Sequence, residues 1–190
     1  MSEPKASAPK TEEILPGVLH WSVHDDRTDH RGDAYAVTSP QGTILIDPLP
    51  LAEAALERLG RVTAICLTVQ SHQRSSWRYR KKFKAPVQAP QGAEGLEDTP
   101  DGWYGDGDLL AGSIRAIHAP GPCQASYVFL WTPTKSKGDV LFLGDLLLRE
   151  SKGNFRFIHS EYLDDPAQAY RLGQREPSRH PQHAQRRECA

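Results

Sequence analysis

Three side chains stand where strands of this sequence end and clefts usually open. Asp145 follows Gly144 behind the apolar run Val140 to Leu143. His72 lies in the loop behind Ala64 to Leu67, and Asp47 closes Thr43 to Ile46 just before Pro48. An imidazole titrates near neutrality, and a neighbouring carboxylate can orient it, so such a pair can move protons. Asp145 and His72 are the candidate catalytic pair, and also the two side chains with which any single-metal site would begin. The plainer alternative makes Asp145 a cap for loop amides and His72 a hydrogen-bonding residue at a helix start. Asp47 then orients a loop.

Further candidates are cationic or polar. Arg74 could meet a phosphate or carboxylate entering the cleft. His118 stands before the turn Ala119-Pro120-Gly121-Pro122, where supporting that turn is its expected role. His24 and Arg27 belong to the polar tract LHWSVHDDRTDHRGD, expected to be a solvated loop in which Asp25, Arg27 and Asp33 pair over the cleft and Trp21 packs inward. Arg74, His24, Arg27, His118 and Asp47 are thus the substrate-binding candidates. Arg74, Arg78, Arg80, Lys81, Lys82 and Lys84 crowd six cations into one segment. An RNA-facing helix over residues 74–84 is one reading of it. Against that, 23 Lys and Arg balance 24 Asp and Glu over the chain, whereas nucleic-acid binders are usually basic throughout.

The elements that must position these groups follow from composition and pattern. The chain has 190 residues, 38% hydrophobic and 25% charged, which suits one domain burying about 70% of its unfolded surface without a stabilising metal. Three cysteines without CxxC spacing speak against a disulfide framework. No apolar run approaches the roughly 20 residues of a membrane span, so no membrane partner is expected. Residues 1–13 are polar and rich in Pro, Ala and Ser; they are expected to be a disordered lead-in, not a signal peptide, of a cytoplasmic protein.

Residues 14–23 read as a strand with Pro-Gly punctuation, and 34–38 with 43–46 as a hairpin. Leu51, Ala54, Ala55 and Leu59 stripe a short helix closed by Gly60. Strand 62–67, helix 75–84 and strand 85–90 make a parallel crossover unit. Residues 91–107 are expected to form a long surface loop holding Trp103 and Tyr104. Strands 113–118, 126–132 and 139–143 follow, then a short strand at 155–158 and a helix from Pro166. The domain spans 14–172, and the arginine-rich tail 173–190 is expected to be disordered.

The succession GTILIDPL, a helix, AICLT with its His-containing loop, IHAPGP and VLFLGD resembles the metallo-β-lactamase superfamily over about residues 14–166. The resemblance implies an α/β (α+β) protein, a metallo-β-lactamase-like αββα sandwich, C-terminally truncated. In that superfamily the loop behind Thr68 carries HxHxDH; here the four ligand positions hold Val69, Ser71, Gln73 and Arg74. Pro122 stands where a second motif has its histidine, and the final Gly-His-Gly segment has no counterpart. Asp145 matches the bridging carboxylate, and Asp47 an aspartate behind the ligands. A catalytic zinc needs about three protein ligands and an open water position. Two candidates fall short, so no cofactor is expected; the alternative is one divalent ion, zinc, iron or manganese, on His72 and Asp145.

The resemblance with these departures implies a small-molecule binding protein or inactive hydrolase homologue of unknown substrate. The rivals are a hydrolase using Asp145 and His72 with one metal or none, and an RNA-binding protein. A small molecule is the expected partner. The missing closing strand leaves an open sheet edge, which predicts a homodimer.

Overall fold

Alternation of apolar side chains along the strands decides the layers. In the computed structural model, which describes residues 3–133, 138–149 and 155–173, Ile44 and Ile46 point to one side of their strand and Leu45 to the other. Ala64 and Cys66 likewise oppose Ile65 and Leu67. A period of two with both faces apolar is what a sheet covered on both sides requires.

That sheet has seven strands in sequence order: β1 (Glu12–Leu15), β2 (Val18–Asp25), β3 (His30–Ser39), β4 (Gly42–Ile46), β5 (Val62–Cys66), β6 (Val87–Pro90) and β7 (Gly102–Tyr104). Neighbours from β1 to β4 pair antiparallel and those from β4 to β7 pair parallel. The change at β4 follows from the connections, a two-residue turn before it and the helix α1 (Glu53–Glu57) after it. Helix α2 (Ser76–Phe83) links β5 to β6. Leu56, Trp77 and Tyr79 from the two helices pack with Trp21, Leu45 and Ile65 on one face.

The other face meets a second, antiparallel sheet. Its order is β11 (Val140–Phe142), β10 (Tyr127–Trp131), β9 (Ile114–His118), β8 (Leu109–Leu110). Tyr104, Phe129, Trp131 and Phe142 fill the space between the sheets. The hairpin of β12 (Leu147–Arg149) and β13 (Phe155–Phe157) leads to helix α3 (Pro166–Gly173). This helix seats fully buried Ala169 on Gly121, where a Cβ would lie 2.5 Å from the Ala169 Cβ. The layering is the expected αββα sandwich.

Several expectations about elements are corrected. Residues 3–13 are not a loose lead-in. Ala8 is buried and pairs with Leu51, donating its N–H to Pro50 O and accepting from Ala52 N–H, both at 2.9 Å. The Glu3 carboxylate accepts from Ser75 Oγ at 2.7 Å and Arg78 Nε at 2.8 Å. Backbone pairing and a distant ion pair fix a segment whose composition suggests disorder. Residues 14–23 divide at Pro16-Gly17 into β1 and β2, because Gly17 takes a φ of 81° at the turn. The polar tract is no loop but the β2–β3 hairpin, with His24 opposite Arg31. The expected loop 91–107 ends in β7, paired parallel to β6, with Tyr104 buried and donating its hydroxyl to Leu67 O. The expected basic tail, residues 173–190, lies outside the described residues except for Gly173, with which α3 ends.

Candidate functional site

Asp47, His72 and Asp145 meet. Asp47 leaves the end of β4 with a φ of 48°, a left-handed conformation costing an L residue about 1–2 kcal/mol. Its carboxylate holds it there. Oδ1 accepts the Thr68 N–H at 2.8 Å, and Oδ2 accepts the Thr68 hydroxyl at 2.5 Å. His72, in a short 3-10 turn behind β5, places Nδ1 2.9 Å from Asp47 Oδ2. Its Nε2 lies 3.1 Å from Asp145 Oδ1, in the loop behind β11. One imidazole thus bridges a carboxylate of the seven-stranded sheet and one at the end of the other sheet.

Gly144 lets the second loop come close enough. Its φ is 56°, and a Cβ there would sit 2.8 Å from Thr68 Oγ1. Tyr127 N–H donates to Thr68 O at 2.9 Å and ties the same two elements. Gly144→Ala adds backbone strain and a clash with a committed hydroxyl, so a loss of about 2–3 kcal/mol in urea-unfolding free energy is expected.

The charges settle the protonation state. His72 and Asp47 side chains are 10% and 6% exposed, Asp145 35%. Burial and the Arg74 guanidinium act to lower the His72 pKa, but Asp145 and Asp47 outweigh them and raise it to about 9. Burial acts to raise the Asp145 pKa, yet the His72 imidazolium, followed by Arg74, holds it below its ordinary value. Near neutral pH the His72 ring is an imidazolium, held between Asp47 and Asp145. Arg74 supplies the second cation, its Nη1 donating to Asp33 O at 2.9 Å and Asp47 O at 3.4 Å.

The remaining candidates have other partners. Arg27 pairs with Asp25, whose pKa is lowered to about 2 chiefly by that hydrogen bond. His24 lies 3.4 Å from Asp29 and 3.5 Å from Asp26 in the same hairpin. Asp33 pairs with His20 at 2.8 Å, in place of the expected grouping with Asp25 and Arg27. His118 donates its backbone N–H to Asp106 and approaches Gln124 O through Nε2 at 2.7 Å, across the Ala119–Pro122 turn. Thr68 was not singled out from sequence, although it joins Asp47 to the second sheet. A lone threonine ending an apolar run gives no signal of this.

Beside Asp145, a crevice lined by Thr68, Ala119, Pro122, Tyr127 and Leu146 is too tight to admit a water molecule. The metal ions of the resembling superfamily do not fit this donor set. Both ring nitrogens of His72 face carboxylates, Asp47 accepts Thr68 twice, and Arg74 brings a positive charge to the same place. Among the described residues, no three His, Cys, Asp or Glu side chains converge to hold a metal ion.

Comparison with known proteins agrees with the architecture. The family profile described as the metallo-beta-lactamase superfamily matches residues 13–176. The subclass B3 metallo-beta-lactamase BJP-1 of Bradyrhizobium japonicum superposes with a TM-score of 0.57 at 18% identity, over 87% of this chain and 72% of that one. For native FEZ-1 from Legionella gormanii the TM-score is 0.56 at 15% identity, covering 80% and 68%. The class B3 di-zinc enzyme LRA-12 from an Alaskan soil metagenome gives 0.53 at 16%, covering 74% and 66%. No curated protein matches the sequence.

Proposed function

Because the chain belongs to the metallo-beta-lactamase superfamily, we propose that it is a metal-independent, non-hydrolytic member in which an Asp47–His72–Asp145 ionic bridge takes the place of a metal centre. It acts as an inactive homologue whose former reaction centre ties its two sheets together. The observation that carries this reading is the double engagement of His72, with Nδ1 on Asp47 and Nε2 on Asp145.

Support comes from what each group is no longer able to do. A general base needs an unprotonated nitrogen facing substrate. The Nε2 of His72 faces Asp145, and the ring is charged near neutral pH. A substrate also needs room beside the reacting group, which the crevice at Asp145 lacks. The RNA reading loses most of its charge to internal partners. Arg78 pairs with Glu3, Lys82 with Glu53, and Arg80 with Asp98 and Asp101.

Elemental analysis of protein purified without added metal is expected to find far less than one zinc, iron or manganese per chain. A chromogenic cephalosporin, chosen because the structural neighbours are β-lactamases, is expected to remain unhydrolysed even with zinc added. Near-stoichiometric metal that disappears in Asp145→Ala would sink the proposal.

A further inference from the structure

The basic segment around α2 separates into two groups. Arg74, Arg78, Arg80 and Lys82 are spent on carbonyls or carboxylates of the protein itself. Lys81 and Lys84 are not; among the described residues neither ammonium has a carboxylate within ion-pair distance. Both line a groove of about 340 Å³ with Arg80, Ala85, Pro86 and Asp101. We propose that this groove binds the phosphate group of a phosphate-bearing small molecule, held between Lys81 and Lys84.

Both lysines stand at the C-terminal end of α2, Lys81 in its last turn and Lys84 at its cap with φ 53° and ψ 35°. The left-handed cap then turns the chain into Ala85 and Pro86, which border the groove. Asp101 tempers the charge without cancelling it. Its Oδ2 accepts the Val87 N–H at 2.8 Å and lies 3.5 Å from Arg80 Nε, a guanidinium it shares with Asp98. Two lysines against that one uncompensated carboxylate leave an excess of one positive charge, which the roughly half charge at the negative end of the α2 dipole reduces but does not reverse.

A small ligand fits these facts better than a polymer. The free charge is confined to one end of α2, while Glu3, Glu53 and Asp98 neutralise cations along the rest. None of the groove residues belongs to the Asp47–His72–Asp145 bridge, so this proposal stands or falls apart from the preceding one.

The test is an amide NMR titration of the full chain with inorganic phosphate at fixed ionic strength, chloride being exchanged out. Saturable shifts confined to the amides of residues 80–85 and 101 are expected. They should weaken at least about tenfold in Lys81→Gln/Lys84→Asn, the loss of two charge-assisted contacts. Asparagine tolerates the left-handed cap, so the double variant keeps its fold, and an unchanged unfolding temperature verifies this. Adenosine monophosphate, titrated in parallel, is expected to perturb the same residues and saturate at lower concentration by also covering the exposed Pro86. No saturable shift, or shifts that persist in the double variant, would overturn the assignment. So would an oligouridylate that binds more tightly than adenosine monophosphate and along the whole of α2.

Discussion

Asp47→Ala is expected to cost about 3–5 kcal/mol of unfolding free energy, the largest effect of any single substitution considered for this chain. The side chain is 6% exposed and takes in three donors, Thr68 N–H, Thr68 O–H and His72 Nδ1. Alanine strands all of them where water does not readily reach, and each buried unpaired donor costs about 1–3 kcal/mol. The strain at φ 48° remains and nothing offsets it. Asp47→Asn is expected to be milder, about 1–2 kcal/mol, because its amide oxygen still serves Thr68 and asparagine accepts the left-handed conformation. Urea unfolding at pH 7, with slopes compared to exclude a change in cooperativity, measures both. An alanine variant within about 1 kcal/mol of the parent would show that the three donors are rehydrated or re-paired at little cost.

Stability is expected to fall as pH rises from about 6.5 to 9. His72 titrates near 6.5 in an unfolded chain and near 9 in the fold, so over that interval the native state binds the extra proton. Its contribution is complete below the lower value and gone above the upper one. The difference is worth about 3 kcal/mol at full extent, from about 1.4 kcal/mol per unit. Asp145 adds the opposite limb. Its lowered pKa means stability that is present above the ordinary carboxylate range and lost on acidification. Greatest stability should therefore fall between the carboxylate range and pH 6.5. Unfolding midpoints measured in steps of pH check this, and His72→Gln is expected to remove the alkaline decline. A parent protein equally stable at pH 6 and pH 9 would contradict the charged bridge.

How far the sequence reaches depends on whether the deciding interactions are local. Runs such as Thr43–Ile46 and Ala64–Leu67 are short, apolar and bounded by turn residues, and strands β4, β5, β9 and β10 follow from such local composition. Strand β7 has three residues, too few to show any period, and its pairing with β6 spans a long excursion. Nothing within Gly102–Tyr104 distinguishes it from a loop. The N-terminal residues mislead for a related reason: composition describes what a segment does alone, whereas Ala8 and Glu3 are held by residues 51, 75 and 78. That His72 and Asp145 could work as a pair was legible, since both lie in loops behind apolar strands, whereas Asp47 offered itself chiefly as a residue that orients a loop. That His72 would lie between the two carboxylates was not legible, because one loop position decides which way a side chain faces. Thr68 binds Asp47 through both its N–H and its hydroxyl, and Arg74 reaches the carbonyls of Asp33 and Asp47, partners that no residue pattern encodes.

The contacts of Glu3 carry a consequence for synthesis. Its partners lie 72 and 75 positions further along the chain. At translation rates of about 5–20 residues per second, this stretch waits roughly 4–15 seconds after its own synthesis for residues 75 and 78 to be made. It is therefore fastened late, and until then Pro4 and Ala8 lack the burial that the folded domain gives them.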